Sequence, residues 1–320
     1  MIMIGFINPM KSFSYTKSQA LTRELEKVEE LRKKLHFTPL SSWEKQNHRW
    51  DTLLDSLFYS LALADKKTDR AEIILILNPK GVSSLTKSQQ EILRFRKTLD
   101  SLYHQWMARN QTLTADMLLD LYHSIYKVNI NIDKEALESN LRYIQANPDN
   151  PLLQSALAQI TILGNELFGR ESGQMAHLIS LIFLYNHGYD FRRMLGIDEY
   201  YYQHKDRFSK LITQSLRDPN VTPFLEFVVE ATEAQLIKLL AKITAKNLIT
   251  TDQSSILLLT NRQQDILGAV HAPGSKISNK DLQRIFKISP ITAARDLAKL
   301  TSLGFLFSIG KGRSTYYTKV

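Results

Sequence analysis

Thr292, Arg295 and Lys299 stand three and four residues apart, so on a helix they share one side. A hydroxyl and two cations on one helical face are the arrangement a helix needs to enter the major groove of DNA. Ser289 followed by Pro290 reads as the start of that helix: Ser can accept from the exposed amides, and Pro suits a first position whose donor is not needed. Ile291, Ala294, Leu297 and Leu300 read as its inward face. Two shorter helices precede it, one capped by Asn261 with Ile266, Leu267 and Val270 inward, the other capped by Asn279 with Leu282, Ile285 and Phe286 inward. Phe305 to Ile309 and Ser314 to Thr318 read as strands joined by Gly310, Lys311, Gly312 and Arg313. The glycines permit a tight turn, with Lys311 and Arg313 at its tip, within reach of a phosphate backbone.

The charge of the chain is uneven. Residues 261–320 hold ten basic and three acidic residues, hence +7, whereas the first 260 hold 31 and 29, hence +2. A concentrated basic module points to a polyanionic partner. The absence of cysteine excludes disulfides and thiolate chemistry. No apolar run has membrane-spanning length; the best, Leu178 to Tyr185, is too short. Met1 to Lys11 lack the basic start and long apolar stretch of a secretory signal. A cytoplasmic protein with no membrane partner is expected, with one large domain and one small one.

The remaining elements must carry this module. Residues 14–35 read as an exposed helix and 48–64 as an amphipathic one. Asn78 to Gly81 form a loop. From Thr86, Ile92, Phe95, Leu99, Leu102 and Trp106 recur at helical steps. Thr114 caps a helix with Met117, Leu118, Leu121 and Ile125 inward, and Val128, Ile130 and Ile132 alternate as one short strand. Asn147 to Pro151 read as a loop. Pro151 to Asn165 and Ser172 to His187 are strongly apolar helices, expected at the centre. Arg217 to Thr222 is a turn, followed by a long helix from Pro223 to Lys246.

Two resemblances follow. ISPITAARDLAKLTSLGFLFSIGKGRSTYYTKV, residues 288–320, is similar to the winged helix of bacterial regulators, in which Ser, Thr-Ala, Arg-Asp-Leu and a Gly-x-Gly-Arg wing recur. The body resembles the Fic family. There, a loop of pattern HPFx(D/E)GNGRxxR joins two buried helices, and PLLQSALAQITILGNELF at 151–168 and HLISLIFLYNHGYD at 177–190 align with its flanks without a gap. ILRFRKTLDSLYHQW, LTADMLLDLYHSIY with His123, DEYYYQHKDRFSKLI and PFLEFVVEA also look like Fic helices, so the resemblance covers roughly residues 50–235.

The resemblance implies a reaction and, position by position, its loss. In the family the motif histidine takes a proton from a target hydroxyl, which attacks the α-phosphate of ATP and becomes AMP-modified. Here Glu166 stands in that place, and an ordinary glutamate is a poor base at neutral pH unless desolvated. Arg170 replaces the acid that holds Mg²⁺. Glu171 replaces the first glycine, a carboxylate where phosphate should rest, and Ser172 replaces the asparagine. Gly173 and Phe168 survive. Gln174 and His177 replace the two arginines that clamp phosphate. The chain between His123 and Pro151 is shorter than in active relatives, so the target-docking flap is expected to shrink to the strand at Val128 to Ile132. The family's inhibitory pattern (S/T)xxxE(G/N) finds its best match in Ser60 to Asp65, with Ala64 where the inhibitory Glu would be.

The expected fold is mostly α: an N-terminal helical region (1–85), a Fic-like helical domain (86–250) with its altered motif loop at 166–177, and a winged helix-turn-helix DNA-binding domain (255–320). The expected function is a non-catalytic Fic-like protein regulating transcription. Ser289, Thr292, Arg295, Lys299, Lys311 and Arg313 would contact duplex DNA. No cofactor or metal is expected. The alternative is a Fic-type nucleotidyltransferase with rewired chemistry, using ATP and Mg²⁺ with Glu166 or His177 as base. A protein-interaction scaffold and a homodimer stay open.

Overall fold

The computed structural model describes residues 11–66, 68–77, 85–146, 149–251, 259–270, 276–302, 305–309 and 315–319. Among the described residues, eleven α-helices run through the body: α1 (Gln19–Phe37), α2 (Ser42–Leu63), α3 (Arg70–Leu77), α4 (Lys87–Trp106), α5 (Ala115–Tyr126), α6 (Lys134–Ala146), α7 (Pro151–Gly164), α8 (Ser172–Asn186), α9 (Asp198–Gln203), α10 (Lys205–Ser215) and α11 (Thr222–Thr251). A small α+β domain follows, with α12 (Asn261–Ala269), β1 (Lys276–Ser278), α13 (Asn279–Phe286), α14 (Pro290–Ser302), β2 (Leu306–Ile309) and β3 (Tyr316–Lys319).

The centre of the body is the antiparallel pair α7 and α8. From Leu152 to Gly164 every residue of α7 is buried, and so is nearly every residue of α8. A helix without a polar face is stable only when neighbours cover it on all sides. Here α2, α4, α6, α10 and α11 do so, while α1 packs outside them on α11 and α2 also holds α9. One hydrophobic core runs from Phe13 to Ile243. Asn150 caps α7 by accepting from the Leu152 amide, with Pro151 in the first turn. Gly164 closes α7 because a side chain there would collide: its Cβ would come within 2.8 Å of the Phe13 ring and 2.7 Å of Ser215 Oγ. Tyr201 stacks on Phe208 (4.6 Å) and on Phe227 (5.6 Å), locking α9, α10 and α11 together.

The C-terminal domain has its own core of Ile266, Val270, Ile277, Leu282, Ala293, Leu297, Leu300 and Leu306. Its sheet is antiparallel in the order β1-β3-β2, with Ile277 opposite Tyr317 and Phe307 opposite Thr318.

Several expectations need correction. Residues 128–132 form no strand. The left-handed Lys127 ends α5 by donating to His123 O, Asp133 receives the Ala136 amide at the start of α6, and Ile130 and Ile132 lean on the core without a ladder partner. The helix expected over 14–35 starts at Gln19 behind Ser18 and buries Leu21, Leu25, Val28 and Leu35, so it is not an exposed element. Met117 and Ile285 are exposed rather than inward. The caps are Thr260 and Ser278, one residue ahead of Asn261 and Asn279. Ile291 is 67% exposed and Ala294 is exposed; Ala293, Asp296, Leu297 and Leu300 face inward. A stripe stepping strictly by three turns about 300° per step, so Ile291 and Leu300 end on opposite sides of the helix. The loop Asn78 to Gly81 lies outside the described residues. So do Ser314 and the hairpin tip with Lys311 and Arg313.

The packing gives a direct test. Leu153→Ala in α7 should cost about 2–5 kcal/mol in urea unfolding, because a fully buried leucine leaves a cavity. Ile237→Ala on the outer face of α11 should stay within about 0.5 kcal/mol. Equal costs would contradict the central place of α7.

Candidate functional site

Between α7 and α8 the chain makes a tight turn at residues 165–171 that sorts its side chains into two groups. Glu166, in the left-handed region at φ +48°, is exposed, as are Arg170 and Gly173. Nothing lies within 4 Å of a Cβ built on Gly173, so packing does not require glycine there. Glu171 is half-buried at the head of α8. Phe168, Ser172, Gln174 and His177 point inward. Phe168 packs on Tyr122 at 5.0 Å between centroids, and its amide donates to Ser172 Oγ at 3.0 Å, closing the turn.

Among the buried polar side chains of α8, Gln174 and His177 are both engaged. Tyr126 Oη donates to Gln174 Oε1 at 2.6 Å. Burial first, then the charges of Glu171 and Glu91, push the Tyr126 phenol far above its ordinary pKa, so it stays a neutral donor. The cavity beside Gln174, which Lys66, Glu91 and Phe95 also line, measures about 10 Å³, room for about one water. His177 Nδ1 lies 3.0 Å from Asp198 Oδ1, with both side chains buried. Neither Tyr126 nor Asp198 is singled out by sequence. Each is one polar residue in an aromatic stretch, and only the tertiary packing aims it at α8.

In the C-terminal domain, Ser289 Oγ accepts from the Thr292 amide at 3.2 Å and shares a hydrogen bond with the Thr292 hydroxyl at 2.9 Å. This caps α14 as expected. Arg295 is exposed, while Thr292 and Lys299 are half-buried. The opposite side carries Asp296, which is 3% exposed. Its carboxylate accepts from Arg262 Nε and from Gln263 Nε2, each at 2.7 Å, pinning α12 to α14. A helical wheel at 3.6 residues per turn places Asp296 about 40° from Leu300 and about 60° from Ala293, at the edge of the buried side. Asp296→Ala should therefore cost roughly 1–3 kcal/mol by stranding the buried Gln263 amide, read from the thermal unfolding of the full chain. No loss would contradict the contact.

His177 gives a pH test. Burial pulls its pKa down, but the charge of Asp198 and their hydrogen bond outweigh this, and the pKa rises above the ordinary value. A histidine raised on folding stabilises fully below the unfolded value of about 6.5 and loses that contribution as pH climbs through the folded one. Urea-unfolding stability should fall between pH 6 and pH 9 more steeply for the natural chain than for His177→Gln. Identical pH slopes would rule the ion pair out.

No protein-family model and no curated protein matches the sequence. Solved structures do. A Fic family protein from Desulfovibrio desulfuricans G20 superposes with a TM-score of 0.60 at 14% identity, covering 97% of this chain and 98% of its own. An overlap of that extent includes the C-terminal domain. Two structures of Fic-1 from C. elegans superpose with TM-scores of 0.52 and 0.51 at 14% and 15% identity, covering 69% of this chain and 72% and 71% of theirs. At such identities the likeness shows fold alone: this chain has a Fic-type helical fold followed by a small α+β domain.

Proposed function

We propose that this protein is a DNA-binding transcriptional regulator of the cytoplasm, built on a Fic-type body that does not transfer AMP. The observation that carries the DNA reading is the outer side of α14. Arg295 is exposed there, beside Thr292 and a Ser289-capped N-terminus, and opposite a fully buried side. The order α12-β1-α13-α14-β2-β3, with β3 between β1 and β2, supports a winged-helix reading in which α14 would be the recognition helix. The +7 charge of residues 261–320 supplies the electrostatic attraction.

The non-catalytic reading rests on the loop. Phosphoryl-type transfer needs a metal and cations placed where charge develops. Arg170 cannot ligate a metal. Gln174 is bound to Tyr126 beside a cavity too small for a nucleotide, and His177 is bound to Asp198. The residues present do not fit ATP and Mg²⁺.

Gel retardation of duplex DNA by the full chain should succeed at about 50 mM salt and weaken steeply as salt rises. Arg295→Ala should cost specific binding about 1–3 kcal/mol, whereas Lys311→Ala or Arg313→Ala should weaken all sequences alike and lower the salt slope by about one. Failure of the full chain to retard any duplex at about 50 mM salt would overturn the regulator reading. With labelled ATP and cell lysate, neither the natural chain nor Glu166→His should label any protein. Robust labelling that Glu166→Ala abolishes would instead establish the nucleotidyltransferase.

A further inference from the structure

A second, larger cavity lies further along α8 from Gln174, again against α4. It holds about 240 Å³, the liquid volume of about eight waters. Leu99 of α4, Leu152 of α7 and Val228 of α11 supply apolar wall, and His177 lines it as well. The His177 ring is oriented: Asp198 takes Nδ1 and leaves Nε2 as the ring nitrogen without a protein partner. Arg96 also lines the cavity. Its Nε is buried and makes no hydrogen bond, its closest charge being Asp100 Oδ2 at 3.6 Å. The other charged groups on the wall are Arg49, Arg193, Asp100 and Asp190. Asp100 is bound by Arg193 at 2.8 Å, and Asp190 is occupied by the Arg192 amide. Four cationic side chains, counting His177, thus face two carboxylates that already have partners.

The wall beside this cavity is strained. Phe191, Arg192 and Arg193 lie consecutively in the left-handed region at φ +43°, +57° and +59°, where an L-residue costs roughly 1–2 kcal/mol. Arg192 Nη1 holds the turn by donating to Leu35 O at 2.8 Å and Thr38 O at 2.6 Å. Strain of this kind persists where the surroundings enforce it and gathers at ligand sites. The Ser155 and Ser180 hydroxyls bond each other at 3.2 Å within the same cavity, and neither is hydrogen-bonded to His177, so no nucleophile–base pair is assembled. The chemistry on offer is binding.

We propose that this cavity binds a small carboxylic acid with an apolar body, whose carboxylate lies between His177 Nε2 and the Arg96 guanidinium while a ring or short chain fills the apolar wall. Arg96 Nε is buried without an acceptor, which marks this end of the cavity as short of acceptors; a carboxylate supplies acceptors and the opposing charge. Against the effect of its burial, the charge and hydrogen bond of Asp198 raise the His177 pKa, which favours the ring form that carries a proton on Nε2. The site is independent of the DNA reading, since it needs nothing from the C-terminal domain.

The test is calorimetric titration and thermal unfolding of the full chain with phenylacetate and hexanoate, beside 2-phenylethanol and hexan-1-ol as uncharged counterparts. At least one acid should bind with Kd below about 1 mM and raise the melting temperature, with its alcohol at least tenfold weaker. Arg96→Gln and His177→Gln, checked for folding by circular dichroism, should each lose tenfold or more. Leu181→Trp, which fills the cavity, should abolish binding. Should His177→Gln fail to fold, Arg96→Gln and Leu181→Trp decide alone. Absence of any shift by either acid at about 10 mM, well above that Kd, would overturn the proposal. So would an alcohol binding as tightly as its acid, or undiminished binding to Leu181→Trp.

Discussion

Burial of α7 and α8 on all their sides is the constraint from which the rest of the body follows. Neither helix offers a polar face to water, so both are stable only where other helices enclose them. The enclosure limits what the turn between them can be. Phe168 is drawn inward as part of the core, and Ser172 receives its amide because a buried donor needs an acceptor. The early turns of α8 are then interior positions, and any polar side chain there must find a partner within the protein.

Gln174 and His177 answer that demand in different ways. Gln174 is neutral and needs only the Tyr126 hydroxyl. A cation inside the core is expensive unless a countercharge stands close, and Asp198 fills that role for His177. The partner is only half used: Asp198 Oδ2 is buried with no hydrogen bond. Two arginines at these positions would each bring a fixed charge and several donors into the same enclosed space. The residues found at 174 and 177 suit a packed interior more readily than a bound polyphosphate.

The sequence states some of this architecture openly and conceals the rest for identifiable reasons. The uninterrupted apolar character of 151–165 and 172–187, with Pro151 at the head, leaves little alternative to two central helices. Thr114 and Ser289 are found because capping is local chemistry. Where the outcome depends on a distant partner, local pattern fails. Val128, Ile130 and Ile132 alternate like a strand but have no second strand to pair with among the described residues. Helix α6 goes unmarked because Leu137, Leu141 and Ile144 are sparse among polar residues. The inward side of α14 is misjudged by stepping in threes, which hides Asp296 among the solvent-facing residues and Ile291 among the buried ones. Of the candidate site, the types of the loop residues are legible, but Tyr126 and Asp198 are visible only once α5 and α9 are packed on α8.

The same logic redistributes the charge of the C-terminal domain. Its three acids, Asp265, Asp281 and Asp296, look in sequence like counterweights scattered among ten basic residues. In the fold, Asp296 is buried against Arg262, and Asp281 receives the Ser278 amide while pairing with Arg284 at 3.1 Å. Two negative charges are thereby spent on holding helices in place, each beside a cation. The net charge does not change, but its distribution does: the excess belongs to the cations outside those two pairs, with Asp265 the one acid not so committed. Over distances of about 10 Å or less, where salt leaves charges in contact with one another, such a domain acts on its surroundings as an almost purely positive body. Acids placed for folding thus leave the net positive charge of residues 261–320 on cations outside the two pairs.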